Sequence, residues 1–173
     1  MKKANPPPAI RITSDHQNMD KYLIEMQQEE LCRDLFDPRS ASDWIVSSLA
    51  RLNQPACECC IRFVEKQEMQ DLNLRFRQQD KLTNVLAFPE DSTDEAGRIL
   101  LGDVVICPTV LADEANTQEK ELLQHYAHLV IHGILHLKGF DHVVEDEAKE
   151  MELLEVMLLG ELGIKNPYRE ESL

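Results

Sequence analysis

Two periods run through this chain, and they separate its strands from its helices. "CCIRFVE" alternates side chains toward opposite faces, as a half-buried strand does. "AIRIT", after the prolines at 6–8, predicts a short first strand. "TNVLAFP" is an apolar, β-rich run that Pro89 should stop. "ILLGDVVIC" predicts another buried strand, ended by Pro108. Between these last two, "EDSTDEAGR" is expected to be an acidic loop with Gly97, forming a long hairpin-like connection, so the sheet should be mixed.

The helical period governs the remaining segments. Tyr22, Leu23, Met26 and Leu31 predict a helix from about Asp20 to Leu35, broken by "DPRS". Ser40 or Ser42 is expected to cap a second helix carrying Trp44, Ile45, Leu49 and Leu52. "EMQDLNLRFR" predicts a short helix with Met69, Leu72 and Phe76 on one face. "TVLADEAN" follows Pro108 as a first helical piece. Asn116 or Thr117 should then cap a long helix over about Gln118 to Leu137, with Glu119 and Glu121 in its first turn and Gly139 just past its end. A last helix over about Glu145 to Leu159 buries Met151, Leu154 and Leu158 and ends near Gly160 or Gly163. The expected class is α+β: a small mixed sheet packed against several helices, one of them long and bearing histidines.

At 173 residues, 43% hydrophobic and 29% charged, the chain has the composition of one soluble globular domain. No apolar run reaches the ~18 residues that a membrane span needs. "MKKANPPPAIRIT" has prolines where a signal peptide has its apolar core, so a cytoplasmic setting is expected. Five cysteines, an odd number, fit free thiols in a reducing compartment. The "CECC" cluster invites a metal reading, but strand alternation sends Cys57 and Cys59 to one side and Cys60 to the other.

The net charge of −14 argues against RNA or DNA binding by the surface as a whole. That average hides a split. Residues 61–87 hold five basic and four acidic side chains, whereas residues 141–173 hold ten acidic and three basic. One local anion-binding patch is compatible with this, as are ordinary surface charges.

The chemistry concentrates in "HLVIHGILHLKGFDH". At about 100° per residue, His125, His128, His132 and His136 fall on one helical stripe. His132 and His136 are one turn apart, the separation at which two imidazoles bind one zinc ion. Gly139 lets the chain turn so that His142 returns as a third ligand, leaving the fourth position open as in catalytic sites. His125 and His128 sit further back, suited to supporting the ligands or to packing. A zinc protease would carry glutamate after the first histidine, and here that position is Gly133. Its absence removes the usual base for peptide hydrolysis. Phosphodiester cleavage asks instead for polarised phosphoryl oxygens and a cation, and RNA carries its own 2′-hydroxyl nucleophile.

"HGILHLKGFDH", "FRQQDKLTNVLAFP", "LLGDVVIC" and the late "NPY" resemble the YbeY family of bacterial ribosomal RNA maturation factors. The similarity runs from roughly Trp44 to Tyr168 and is poor before it, where the chain is expected to carry an extra helical segment. The resemblance implies a zinc-dependent, single-strand-specific endoribonuclease acting at the 3′ end of 16S rRNA and in ribosome quality control. It implies one zinc per chain on His132, His136 and His142, and a functional role for Arg77. Single-stranded rRNA and the small ribosomal subunit are the implied partners, with neither membrane nor DNA among them. Arg77 lies in the stretch with slight basic excess, and its guanidinium fork suits a phosphate. Asp141 either accepts a histidine N–H or completes the turn. Asp80 and Lys81 pair or orient their loop, with no catalytic role assigned. Two rival readings stand beside this one. The first is a non-catalytic ribosome-assembly factor with a structural zinc, and the weaker second is a metalloprotease-like hydrolase.

Overall fold

A computed structural model describes residues 9–12, 21–28 and 37–168 of the chain. Five strands, β1 (Ala9–Ile12), β2 (Tyr22–Gln28), β3 (Cys57–Phe63), β4 (Val85–Thr93) and β5 (Ile99–Ile106), form one sheet in the order β1-β2-β3-β5-β4. β2, β3 and β5 run parallel, and the two outer pairings are antiparallel. The sheet is mixed, as expected. Five helices complete the fold: α1 (Pro38–Arg51), α2 (Lys66–Arg77), α3 (Pro108–Thr117), α4 (Leu122–Leu137) and α5 (Glu145–Glu161).

The alternation in β5 explains the layering. Val104 faces the main core with Ile61, Ile106, Tyr126 and Ile134, while Val105 faces the other side, against Met69 and Leu72 of α2. α1 and α4 thus cover one face, and α2 covers part of the other. α5 packs on the far side of α4, where Met151, Leu158 and Leu159 close against Ala127, Ile131 and Leu135. Helix α4 is therefore apolar over most of its circumference, and its histidines occupy what remains.

Several expectations need correction. The helix expected over 20–35 is instead strand β2 where the structure describes it, with Tyr22, Ile24 and Met26 buried at period two. Parallel pairing with β3 overrides the local helical spacing; residues 29–36 lie outside the described residues. Asp37, not Ser40 or Ser42, caps α1, accepting the Arg39 N–H at 3.0 Å. Pro38 occupies the first turn, where its missing N–H costs nothing. Strand β4 runs through Pro89 to Thr93, because it lies at the sheet edge and has an irregular register after Pro89. The acidic loop accordingly shrinks to a turn over residues 94–98. Helix α4 starts at Leu122, because Glu119 takes φ +53° and breaks it from α3; Asn116 and Thr117 close α3 instead. Of the α2 face, Met69 is buried but Phe76 is about half exposed.

Candidate metal centre

The single turn between His132 and His136 brings their rings to a centroid separation of 4.6 Å, with Nε2 facing Nε2 at 3.1 Å. Gly139, at φ +88°, ends the helix in a conformation that favours glycine, and the chain returns. His142 then lies with its ring centroid 5.0 Å from that of His136 and 5.4 Å from that of His132. One ring nitrogen from each of the three falls within 4.8 Å of the others. The spacing predicted this convergence, and the structure brings all three together.

The far nitrogens fix the tautomers. His132 Nδ1 lies 2.7 Å from the Glu155 carboxylate, and His136 Nδ1 lies 2.9 Å from the Phe140 carbonyl. Both partners only accept, so both Nδ1 atoms carry a proton, and in the neutral, metal-binding form both Nε2 atoms present lone pairs. Two lone pairs facing at 3.1 Å repel unless a cation lies against them. Two nitrogens on one tetrahedral zinc sit about 3.3 Å apart, so the arrangement fits that ion. Burial, reinforced by His132 and His142, lowers the pKa of His136 and keeps it in the neutral, ligating form.

Glu155 was missed in the sequence, and it anchors the centre. It is 1% exposed, among the apolar side chains of α5. It takes His132 on one oxygen; His128, at 3.0 Å, and the Tyr168 hydroxyl share the other. Burial alone would push this carboxyl up, but the hydrogen bonds from His128, His132 and Tyr168 outweigh it and hold it at about 2. The signal was present: Glu155 lies four residues from Met151 and from Leu159 on the buried face, where a solitary acid needs a partner. His128, His132 and Glu155 also converge within metal-binding distance, but hydrogen bonds already join them. His128 therefore supports the ligand set through Glu155.

Gly133 has its own reason. A Cβ there would lie 2.5 Å from Val104 Cγ1, so this position faces the sheet rather than the histidines. No side chain fits where a zinc protease carries its glutamate.

The centre opens into a cleft of about 690 Å³ whose lining includes His132, His136, His142, Asn73, Arg77 and Asn84. Arg77, the last residue of α2, is exposed and donates to the Ala87 carbonyl at 3.1 Å, leaving other guanidinium donors for the cleft. Asn73, buried in α2, donates to the Lys81 carbonyl at 2.8 Å and holds the loop after that helix. On the same loop, Asp80 accepts from Gln70 of α2. Asp141 accepts the His142 backbone N–H at 2.7 Å, so it completes the turn. His125 turns away and pairs with Glu114 at 2.9 Å. The cysteines split as expected, Cys57 and Cys59 toward the core and Cys60 toward the opposite face.

Three imidazoles with one side open to a cleft are donors of the kind a catalytic metal centre uses, and the class defined by this α+β fold and site is a metal-dependent hydrolase. The family model described as endoribonuclease YbeY matches residues 17–163. The endoribonuclease YbeY of Colwellia psychrerythraea is 47% identical over 131 residues, covering 74% of this chain and 84% of that protein. The chain belongs to the YbeY endoribonuclease family. A Thermotoga maritima protein solved in solution shares the fold, with a TM-score of 0.51, 22% identity, and coverage of 85% of this chain and 99% of that one. Among the described residues, no helix is long and apolar enough to cross a membrane.

Proposed function

We propose that this chain is a zinc-dependent endoribonuclease that cleaves single-stranded RNA, matures the 3′ end of 16S rRNA and takes part in ribosome quality control. It acts in the cytoplasm beside the small ribosomal subunit and carries one zinc ion. The observation that carries this reading is the pair of Nε2 lone pairs of His132 and His136, facing at 3.1 Å and closed by His142 at the head of a cleft shared with Arg77.

Bound zinc supplies a Lewis acid for phosphoryl oxygens and lowers the pKa of water toward neutrality. The protein's own residues supply the rest. His132, His136 and His142 hold the ion. Glu155 keeps the proton of His132 on Nδ1 and so keeps the Nε2 lone pair aimed at the metal. The Phe140 carbonyl does the same for His136. Arg77 binds the phosphate beside the scissile bond, where its charge offsets that developing on the phosphoryl oxygens.

The metalloprotease reading loses support from Gly133, whose contact with Val104 leaves no room for a general base there. The net charge of −14 favours the assembly-factor rival, and Arg77 distinguishes the two. Arg77→Ala should retain zinc and melting temperature while losing about 10²–10³-fold in cleavage of single-stranded RNA. Unchanged cleavage by that variant, in a preparation cleared of contaminating nucleases, would remove Arg77 from the chemistry.

A further inference from the structure

One polar network beside the cleft has no part in holding the metal. Glu114 of α3 accepts from His125 Nε2 at 2.9 Å and from Asn84 Nδ2 at 3.0 Å. His125 is 6% exposed, and its burial lowers its pKa so that it stays neutral despite Glu114. A neutral imidazole beside an acceptor-only carboxylate must place its proton on Nε2. The carboxylate likewise fixes the Asn84 side chain, because only the amide nitrogen can face it. The Asn84 backbone carbonyl is also held, accepting the Cys107 N–H at 2.9 Å.

The Asn84 carboxamide oxygen must then face away from Glu114. No described residue donates to it, and it is not among the buried atoms lacking a partner, so it remains open to solvent. Asn84 lines the same cleft as Arg77 and the three histidines. A residue of the cleft lining thus carries a solvent-open acceptor that cannot rotate into a donor. A phosphate, which only accepts, gains nothing from it. A ribose 2′-hydroxyl does, and it is the group that separates RNA from DNA.

We propose that Asn84, locked by Glu114 and His125, is a specificity-determining residue whose side-chain oxygen accepts a hydrogen bond from a ribose 2′-hydroxyl. This rests on the reading of the cleft as an RNA site, but it concerns discrimination and not cleavage. One hydrogen bond to a fixed acceptor corresponds to about a three- to tenfold preference.

The test is equilibrium binding of a fluorescent single-stranded RNA and its DNA counterpart to the zinc-loaded protein, with cleavage followed on the same samples. Wild type should bind the RNA more tightly. Asn84→Ala should lose that preference by weakening RNA binding about three- to tenfold while leaving DNA binding unchanged. Glu114→Gln, which no longer dictates the amide orientation, should lose part of it. A preference that survives in Asn84→Ala, or equal weakening of RNA and DNA as expected of base reading or of a folding defect, overturns the assignment. A wild type that binds RNA with no preference over DNA also overturns it and leaves the nuclease reading intact. A wild type that binds neither strand defeats both.

Discussion

Among the described residues, β3 with its cysteines and the end of α4 with its histidines are both rich in metal-capable side chains, and only the histidines converge. "CECC" lies on β3, where the two-residue period places Cys57 and Cys59 in the core and Cys60 on the opposite face. His132 and His136 lie one turn apart on α4, and the glycine stop after the helix brings His142 to them. Protonation widens the difference. Burial pushes the Cys57 thiol up to about 11 and the Cys60 thiol to about 12, so both hold their protons. Burial of His136 acts in the other sense, removing a proton and freeing a lone pair. Low dielectric thus disarms a thiol and arms an imidazole, because the ligating form of one is charged and that of the other is neutral.

The comparison is sharpened most by Glu155→Gln. The amide keeps one acceptor oxygen where the carboxylate offered two, so an N–H must face either His132 or the His128 and Tyr168 pair, and zinc affinity should fall about 10–100-fold in a chelator competition. An unchanged affinity would mean that the histidines orient themselves. A smaller effect is expected of Gly133→Ala, which forces a methyl group against Val104 and should cost about 1–3 kcal/mol of stability in denaturant unfolding. Val104→Ala in the same chain should recover part of that loss. If Gly133→Ala is neutral, close packing does not explain the glycine.

The smallest effect concerns the thiols. Their pKa values are raised on folding above the ordinary 9.0, so the stabilisation from keeping them neutral is complete below pH 9 and is lost as pH rises through about 11 to 12. Folded protein at pH 8 should therefore resist alkylation at Cys57 and Cys60, as read by peptide mass mapping. Rapid labelling of Cys57 at that pH would contradict its burial.

Local pattern carried much of this fold and site. The strand period of "CCIRFVE", the histidine stripe and the Gly139 stop are each written in a short run of consecutive residues, and all appear in the structure. What failed depended on distant partners. Tyr22, Leu23 and Met26 satisfy a helix locally, but pairing with β3, over thirty residues away, makes them strand. Pro89 looks like a strand end unless β4 is known to be an edge. Glu155 lies more than twenty residues from His132, and only the packing of α5 on α4 brings the two together.

That the three histidines hold the catalytic metal and the cysteines hold none is open to direct test. Zinc content and single-strand RNA cleavage, measured on one preparation of wild type and of His136→Ala, test it most directly. The wild type should carry one zinc per chain, lose cleavage on chelation and regain it when zinc is restored, while His136→Ala should lack both metal and activity. Cleavage that persists in chelated protein or in folded His136→Ala, or zinc that stays bound after the histidine is removed, would contradict the account.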